Sequence, residues 1–378
     1  MCQTWLMLLI ALVLALGLLG PILAIPRRLG IPVAIGEILV GVIFGVSGFN
    51  WVGGTEPTIH LLSQIGFALV MMSSASSISL SALTQSKAIA NAARNVAISI
   101  IPAVAIAYGI ATFAGFDLAL VFAVIMFSSS AALVLPAFAG TKNTAQFVVF
   151  TTQVALADLL AIIALPLVIK GANFMSVISG AAIIAVMAYL IFLALRRFNN
   201  DGKWAEVREL SKKRRFGLEL RISLIVLLVM AGITQTFGVT IMIAGFGLGL
   251  AIGANGVPHR LSRQIFAVTE GFFSPLFFVV LGSQIDIRAL ITNPQLLLLS
   301  LALFAGAMVT HLSAVLFKLP VRFAIASAAQ LGVPTAVIAI GQQTGILSAG
   351  QAAAIMLAAL LTIGATLVTR RQVGQQPN

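Results

Sequence analysis

Asp158 is the residue whose position most directly suggests chemistry. It lies in the middle of the apolar stretch 145–169, flanked by Val154–Leu156 and Leu159–Ala161. If that stretch crosses a bilayer, an ionisable group there costs about 2.5–3.5 kcal/mol on insertion scales, so a functional role is the default expectation. Thr151 precedes Asp158 by two helical turns on the same face. We therefore expect a polar stripe in which Asp158 binds a metal cation or a proton; a structural carboxylate paired with a neighbouring helix is the alternative.

His311 is the second ionisable group inside an apolar stretch. It lies in 293–316 and is followed by Ser313. If it faces Asp158, the protonation states of the two groups are coupled. The alternative is a hydrogen-bonded packing residue.

Two further stretches contain residues that interrupt a helix. They are Ser128, Ser129 and Ser130 with Pro136 in 117–139, and Gly332, Pro334 and Thr335 in 320–345. Hydroxyl runs and Gly/Pro pairs loosen the helical ladder, and irregular backbone at membrane depth survives only when protein or a cavity surrounds it. One break in each half of the chain predicts two inverted repeats whose broken helices cross at a midplane site. Ordinary proline kinks and small-residue packing are the alternative.

The composition places these residues in a membrane protein. Of 378 residues, 60% are hydrophobic and 8% are charged, and the mean hydropathy is +1.11. So few charges do not cover the surface of a soluble domain of this size. The apolar stretches are long and do not alternate, which favours helices over a barrel. The single Cys2 excludes an internal disulfide framework.

The sequence predicts an all-α polytopic membrane protein with about thirteen spans, each near the length that crosses a bilayer. The predicted spans are 5–25, 31–50, 59–82, 88–114, 117–139, 145–169, 173–195, 219–236, 239–256, 263–284, 293–316, 320–345 and 349–369. We predict one transmembrane unit over 1–369 and a cytoplasmic tail over 370–378.

The charges predict an orientation. With the N-terminus outside, only Lys170 and Arg288 lie in outer loops, so 20 of the 22 Lys and Arg residues lie on the inner side. This asymmetry is the positive-inside signal of a multi-pass protein of the cell inner (plasma) membrane. The basic loop 196–220 links the two halves, and we expect it to contact lipid headgroups rather than nucleic acid.

Other motifs do not point to an enzyme. The glycine-rich stretch 245–253 lies inside an apolar span without a preceding strand, so it indicates helix packing rather than a dinucleotide loop. The three His residues and one Cys are too scattered for a metal cluster, and there is no nucleophile triad or phosphate loop. We expect no cofactor.

Three segments resemble signatures of the monovalent cation/proton antiporter superfamily, in the branch that holds bacterial Na⁺/H⁺ antiporters and glutathione-regulated K⁺-efflux antiporters. They are 28–42 (RLGIPVAIGEILVGV), 127–131 (FSSSA) and 273–286 (FSPLFFVVLGSQID). The resemblance covers nearly the whole membrane region. In three places the chain departs from it: Ala157 precedes the essential Asp, His311 replaces a common Lys, and 71–77 lacks the usual Gly-Leu-Glu end.

The resemblance implies a core domain, 88–169 and 293–369, that moves against a dimerisation or scaffold domain, 5–82 and 219–284, in a homodimer. It implies alternating access, with Na⁺ or K⁺ and a proton competing at Asp158. Ser128–Ser130 and Thr151 are the predicted helpers, and His311 is the predicted pairing group. With one acid at the site, we expect electroneutral exchange.

Two other functions remain open. One is an organic-solute/sodium symporter of the crossed-helix type, which a solute-uptake assay distinguishes. The other is a non-transporting membrane homologue, suggested by Ala157 and the altered third span, which an ion-flux assay in liposomes distinguishes.

Overall fold

The computed structural model describes residues 2–24, 32–52, 56–76, 86–138, 141, 144–169, 174–200, 202–214, 216–237, 241–256 and 259–373. These residues form helices, and none of them forms a β-strand. The all-α prediction is therefore confirmed. The predicted inner-side residues Arg27, Arg28 and Lys142 and the predicted outer-side Lys170 lie outside the described residues, as does 374–378 of the predicted tail.

Contacts group the chain into two compact units. Unit 1 comprises Met1–Gly54, Ser81–Gly171 and Phe278–Asn378, and unit 2 comprises Thr55–Leu80 and Ala172–Phe277. The assignment of helices to a moving core and a dimerisation scaffold stays a prediction, because packing alone does not report which helices move.

The helices of unit 1 are α1 (Cys2–Gly17), α2 (Leu19–Ala24), α3 (Val33–Phe44), α5 (Ser86–Ala114), α6 (Ala119–Phe127), α7 (Ala131–Ala137), α8 (Ala145–Val168), α15 (Ile287–Thr292), α16 (Pro294–Leu312), α17 (Val321–Ser327), α18 (Gly332–Gln343) and α19 (Ala349–Val373). A 3₁₀ turn, Ser313–Phe317, follows α16. Those of unit 2 are α4 (Pro57–Ser76), α9 (Phe174–Asn200), α10 (Gly202–Lys213), α11 (Leu218–Thr236), α12 (Ile241–Ala254) and α13 (His259–Val268). A π-helical turn, Thr269–Phe273, leads into α14 (Ser274–Ser283), within which the boundary between the units falls.

Within the described residues, ten helical stretches are long and apolar enough to cross a membrane, and α3 and α12 are shorter apolar helices. The broken pair α6 and α7 occupies the remaining predicted span, 117–139. Helix therefore lies at each of the thirteen positions that the hydropathy pattern indicated.

Local sequence explains where the helices that carry the site begin. The Thr144 hydroxyl accepts a hydrogen bond from the Phe147 backbone N–H (3.2 Å) at the start of α8. The Asn293 side chain accepts from Gln295 N–H (3.0 Å) at the start of α16, where Pro294 is the first helical residue. Both arrangements satisfy a backbone donor that a helix start leaves without a partner.

An aromatic cluster packs α8 against the broken helices of unit 1. Phe150 stacks on Phe323 of α17 with ring centroids 4.7 Å apart, and Phe138, just after α7, contacts Phe150 edge-on at 5.4 Å. All three side chains are buried. Large rigid rings hold helices at a defined separation, so this cluster limits how far α8 can shift relative to α17.

In unit 2, glycines bring α12 directly onto α4. A Cβ added at Gly245 or Gly249 would meet the backbone of Ala68 or Met72, and one at Gly253 would meet Ser76. The contacts advance by four residues on each helix, so the two helices run parallel, which is the direction expected for the predicted third and ninth spans. The interpretation of 245–253 as a packing motif is confirmed.

Candidate functional site

Asp158 is buried inside unit 1, with 5% of its surface exposed. Its Oδ2 accepts a hydrogen bond from the backbone N–H of Ala131 at 3.0 Å. Ala131 is the first residue of α7, so the carboxylate lies at the positive end of a half-helix. Among the described residues no donor contacts Oδ1. One oxygen is therefore held by the backbone, and the other is free to bind an ion or a proton.

The first helix break lies at Ser128–Ser130, as predicted. α6 ends where Ser128 becomes extended (φ −66°, ψ 156°), and its hydroxyl donates to Ile125 O at 2.8 Å. Serine side chains offer the backbone an alternative to the helical ladder, which explains why the helix stops at this run. Ser128, Ser129 and Ser130 are all buried.

The second break lies at Ala328–Leu331, between α17 and α18. The sequence predicted the interruption at Gly332, Pro334 and Thr335, so that position is corrected. Gly332, Pro334 and Thr335 instead form the first turn of α18. Proline is tolerated there because the first N–H groups of a helix have no intrahelical acceptor.

The two breaks contact each other directly. Ser130 N–H donates to Ala329 O at 2.8 Å, and the Ser129 hydroxyl donates to Ser327 O at 2.7 Å. The C-terminal ends of α6 and α17 and the N-terminal ends of α7 and α18 therefore meet at one place, which we call the crossing (residues 127–131 and 327–332). Carbonyl groups and N–H groups are both available there, so a cation and a carboxylate each find suitable dipoles.

His311 joins the two broken helices. Its Nε2 lies 3.0 Å from Ser128 O, and its Nδ1 lies 3.1 Å from the Ser327 hydroxyl. A carbonyl oxygen only accepts, so we assign the hydrogen to Nε2. The predicted direct pair with Asp158 is not among the contacts of either residue in the described chain; both ring nitrogens have other partners.

The Ser327 hydroxyl has one hydrogen and two acceptors within reach, namely His311 Nδ1 and Ala324 O (2.8 Å). With a neutral imidazole, one of these two acceptors goes without the bond. With an imidazolium, Nδ1–H donates to Ser327 Oγ, which keeps its own bond to Ala324 O. The protonated ring would therefore make one hydrogen bond more than the neutral ring, and the contacts around His311 accommodate either state.

Thr151 is half-buried on α8, and its hydroxyl donates to Val148 O at 3.1 Å within the same helix. It lies seven residues before Asp158, which corresponds to about 10 Å along the helix axis. Thr151 and Asp158 therefore lie on the same helix but about two turns apart.

Sequence reasoning missed several neutral polar residues because it searched the spans for ionisable groups. Ser327 and Gln330 belong to the second break, where Gln330 N–H donates to the Thr362 hydroxyl at 3.3 Å. Asn95 of α5 donates from Nδ2 to Gln153 Oε1 of α8 at 3.0 Å, and both side chains are buried. Amides inside apolar stretches are costly to bury, and that signal alone could have identified them.

The described residues contain no group of three or more His, Cys, Asp and Glu side chains that could hold a metal ion. One carboxylate, that of Asp158, lies beside the hydroxyl and carbonyl oxygens of the crossing.

The chain is similar to known proteins over most of its length. The profile of a family described as "Sodium/hydrogen exchanger, transmembrane" matches residues 11–371. The chain is 23% identical over 376 residues to the Bacillus subtilis (strain 168) protein named "Putative Na(+)/H(+) antiporter YjbQ", an alignment that covers 93% of this chain. It is 25% identical over 278 residues to the Enterococcus hirae "Na(+)/H(+) antiporter", covering 69% of each protein. The chain spans 60% of the length of the Bacillus relative.

Proposed function

Because the chain belongs to the sodium/hydrogen exchanger family, and is therefore a membrane transporter rather than an enzyme, we propose that it exchanges Na⁺ or K⁺ for a proton. Both relatives carry the name of Na⁺/H⁺ antiporters. We include K⁺ because the resemblance of the sequence signatures extends to K⁺-efflux antiporters.

The observation that carries the proposal is the position of Asp158 at the crossing. Its Oδ2 is held by Ala131 N–H, and no donor among the described residues occupies Oδ1. A buried carboxylate with one free oxygen accepts either a desolvated cation or a proton, and binding one excludes the other. Competition at one group is sufficient to couple the two fluxes in opposite directions.

Ser130 is the best-placed helper. It precedes Ala131 directly, it is buried, and its hydroxyl has no hydrogen-bond partner among the described residues. The hydroxyls of Ser128 and Ser129 already donate to Ile125 O and Ser327 O. Ser130 Oγ therefore completes the ion site with Asp158 Oδ1 and backbone carbonyls of the crossing. We assign Thr151 to the approach of the ion, because it lies about 10 Å from Asp158 along α8.

The transport cycle that fits this site is alternating access. The cation and the proton use one binding group in turn, so the site must open to each side of the membrane separately. With one titrating carboxylate at the crossing, one proton exchanges for one monovalent cation, and the cycle moves no net charge.

The oligomeric state and the orientation in the membrane that we propose are those expected from the sequence. We propose a homodimer in the cell inner (plasma) membrane with the N-terminus outside and the C-terminus in the cytoplasm. The bias of Lys and Arg toward one side supports this orientation, and cross-linking of the protein in membranes tests the homodimer.

Substitution of Asp158 in proteoliposomes tests the function. Asp158→Asn removes the charge at nearly constant size, so we expect proton flux driven by Li⁺, Na⁺ or K⁺ to disappear while the protein still folds. Glu209→Gln, which removes an exposed carboxylate from α10, is the matched control and should keep full exchange.

Normal cation-driven proton flux in Asp158→Asn would place the ion site elsewhere. Uptake of an organic solute coupled to Na⁺, without proton exchange, would instead identify a symporter. Absence of any flux in the unmodified protein would favour a non-transporting homologue.

A further inference from the structure

A polar cavity lies in unit 1, and none of the crossing residues lines it. Its volume is about 450 Å³, within the range of sites that bind small molecules. It is bounded by α5, by the start of α8 and by the 3₁₀ turn after α16. The lining includes the two cations Arg94 and Lys318 and the amides of Asn91, Asn95 and Gln146, but no acidic residue.

The two cations come from distant parts of the sequence and have no counterion in the described structure. The Arg94 guanidinium lies 4.4 Å from the centre of the Phe317 ring, which orients it by a cation–π contact. Lys318 follows Phe317 in a left-handed backbone conformation (φ 66°). Both side chains are exposed, and no described carboxylate forms an ion pair with either. Two positively charged side chains therefore line one cavity, and the Phe317 ring orients one of them.

The start of α8 adds further positive potential. Ala145 and Gln146 line the cavity and are the first two residues of this 24-residue helix. Their backbone N–H groups have no intrahelical acceptor, and the helix dipole places partial positive charge there. The Gln146 side chain donates to Lys318 O at 3.4 Å, which ties the helix start to the 3₁₀ turn.

The Asn95 side chain indicates a second chemical property that a ligand of this cavity should have. It is 1% exposed and lines the cavity, its Nδ2 donates to Gln153, and its buried Oδ1 has no hydrogen-bond partner among the described residues. A buried acceptor without a donor is costly. A bound anion that also carries a hydroxyl group would supply the donor, whereas a simple inorganic anion without hydrogen would not.

We propose that this cavity binds a phosphate ester that carries a hydroxyl group. The phosphate contacts Arg94, Lys318 and the start of α8, and the hydroxyl donates to Asn95 Oδ1. Such a group occurs in the headgroup of an anionic lipid such as phosphatidylglycerol, and also in soluble esters such as glycerol 3-phosphate. Positive residues on the side proposed to be cytoplasmic suit either source.

Occupation of the cavity would bridge α5, α8 and the 3₁₀ turn. Gln153, the partner of Asn95, lies five residues before Asp158 on α8. The ligand therefore braces the helix that carries the ion site, and the proposal stands whether or not Asp158 exchanges ions.

Native mass spectrometry of the full chain in neutral detergent tests the proposal. Short-chain phosphatidylglycerol is titrated against the unmodified protein, with phosphatidylcholine as the uncharged comparison. We expect selective retention of one phosphatidylglycerol molecule, with a Kd raised at least tenfold in the double variant Arg94→Gln, Lys318→Gln. The double variant Arg221→Gln, Arg263→Gln removes the same charge from exposed residues of unit 2 that lie outside the basic loop and do not line the cavity, and its Kd should stay within twofold.

Glycerol 3-phosphate, added in excess, distinguishes the two sources. Displacement of the lipid assigns a soluble ester as ligand, and no displacement assigns the lipid headgroup. If the double variant is unstable, Lys318→Gln alone replaces it, because an exposed side chain can be changed without disturbing the fold. The affinity of this single variant for phosphatidylglycerol should fall several-fold. Equal losses in both double variants, or no loss in the Arg94 and Lys318 variant, would overturn the proposal.

Discussion

At the level of single residues, some hydroxyl groups of the crossing donate hydrogen bonds that hold the helix ends together, whereas another has no partner among the described residues. Ser128 and Ser129 donate to backbone carbonyls, while Ser130 Oγ and Asp158 Oδ1 have no partner among the described residues. A hydroxyl that already holds the helix ends together would have to give up its hydrogen bond to bind an ion, and the protein would lose stability. The neighbouring serines should therefore respond differently to the same substitution.

We expect Ser130→Ala to raise the apparent KM for the cation by up to about tenfold, which corresponds to one lost ligand of about 1.4 kcal/mol. Ser129→Ala should leave that KM unchanged but lower the free energy of unfolding by about 1 kcal/mol, because its bond to Ser327 O is lost. Proteoliposome flux and thermal unfolding in detergent measure the two effects. The reverse pattern would assign Ser129 to the ion site.

His311 offers a second test at this scale. Protonation would add an Nδ1–H bond to the Ser327 hydroxyl and place a positive charge at the crossing, so exchange should fall once the pH is low enough to protonate the ring. His311→Gln keeps a donor for Ser128 O but does not titrate. We expect exchange to persist with a shallower fall on the acid side. An unchanged pH profile at matched ion concentration would reduce His311 to a packing residue.

At the level of helices, close backbone contact depends on single glycines. In unit 2, Gly249 of α12 faces the Met72 carbonyl of α4, whereas a Cβ at Gly247 would meet only side-chain atoms, the nearest being that of Ile184 at 3.4 Å. Small residues allow helices to approach within a membrane, where packing replaces the hydrophobic effect as the source of association. Gly247 and Gly249 therefore differ in how much each contributes to the packing of α12 against α4.

Gly249→Ala should separate α12 from α4 and lower the free energy of unfolding by about 1–3 kcal/mol. Gly247→Ala should be tolerated, because its new methyl group meets ordinary van der Waals contact. Thermal unfolding of the two variants in the same detergent measures the difference. Equal stability would show that the two helices separate without cost.

At the level of the whole molecule, the orientation proposed from charge is directly testable. Cys2 is the single cysteine, so Cys2→Ser provides a background for labelling. In intact cells, a membrane-impermeant maleimide should label Thr292→Cys, on the proposed outer side. It should reach Lys213→Cys only after the membrane is permeabilised. The opposite pattern would invert the topology and place the basic cavity outside.

The sequence by itself determined the class of the fold and singled out the candidate site residues. Hydropathy located the thirteen apolar stretches that the structure shows as helical, because a helix in lipid must be apolar over most of its length. Asp158, His311 and the serine run stood out because polar groups are costly at membrane depth. The second break was placed a few residues too late, since Gly332 and Pro334 mark the start of a helix as readily as its interruption.

Only the tertiary structure decided which groups meet. The contacts Ser130 to Ala329 and His311 to Ser128 join residues 183 to 199 positions apart, and no local pattern encodes such pairings. The same holds for the cavity between Arg94 and Lys318, whose charges looked topogenic in the sequence. The composition of a stretch determines whether it forms a membrane-spanning helix, because the residues of that stretch contact the lipid. Helix packing decides what lies beside Asp158, because that depends on side chains from the other half of the chain.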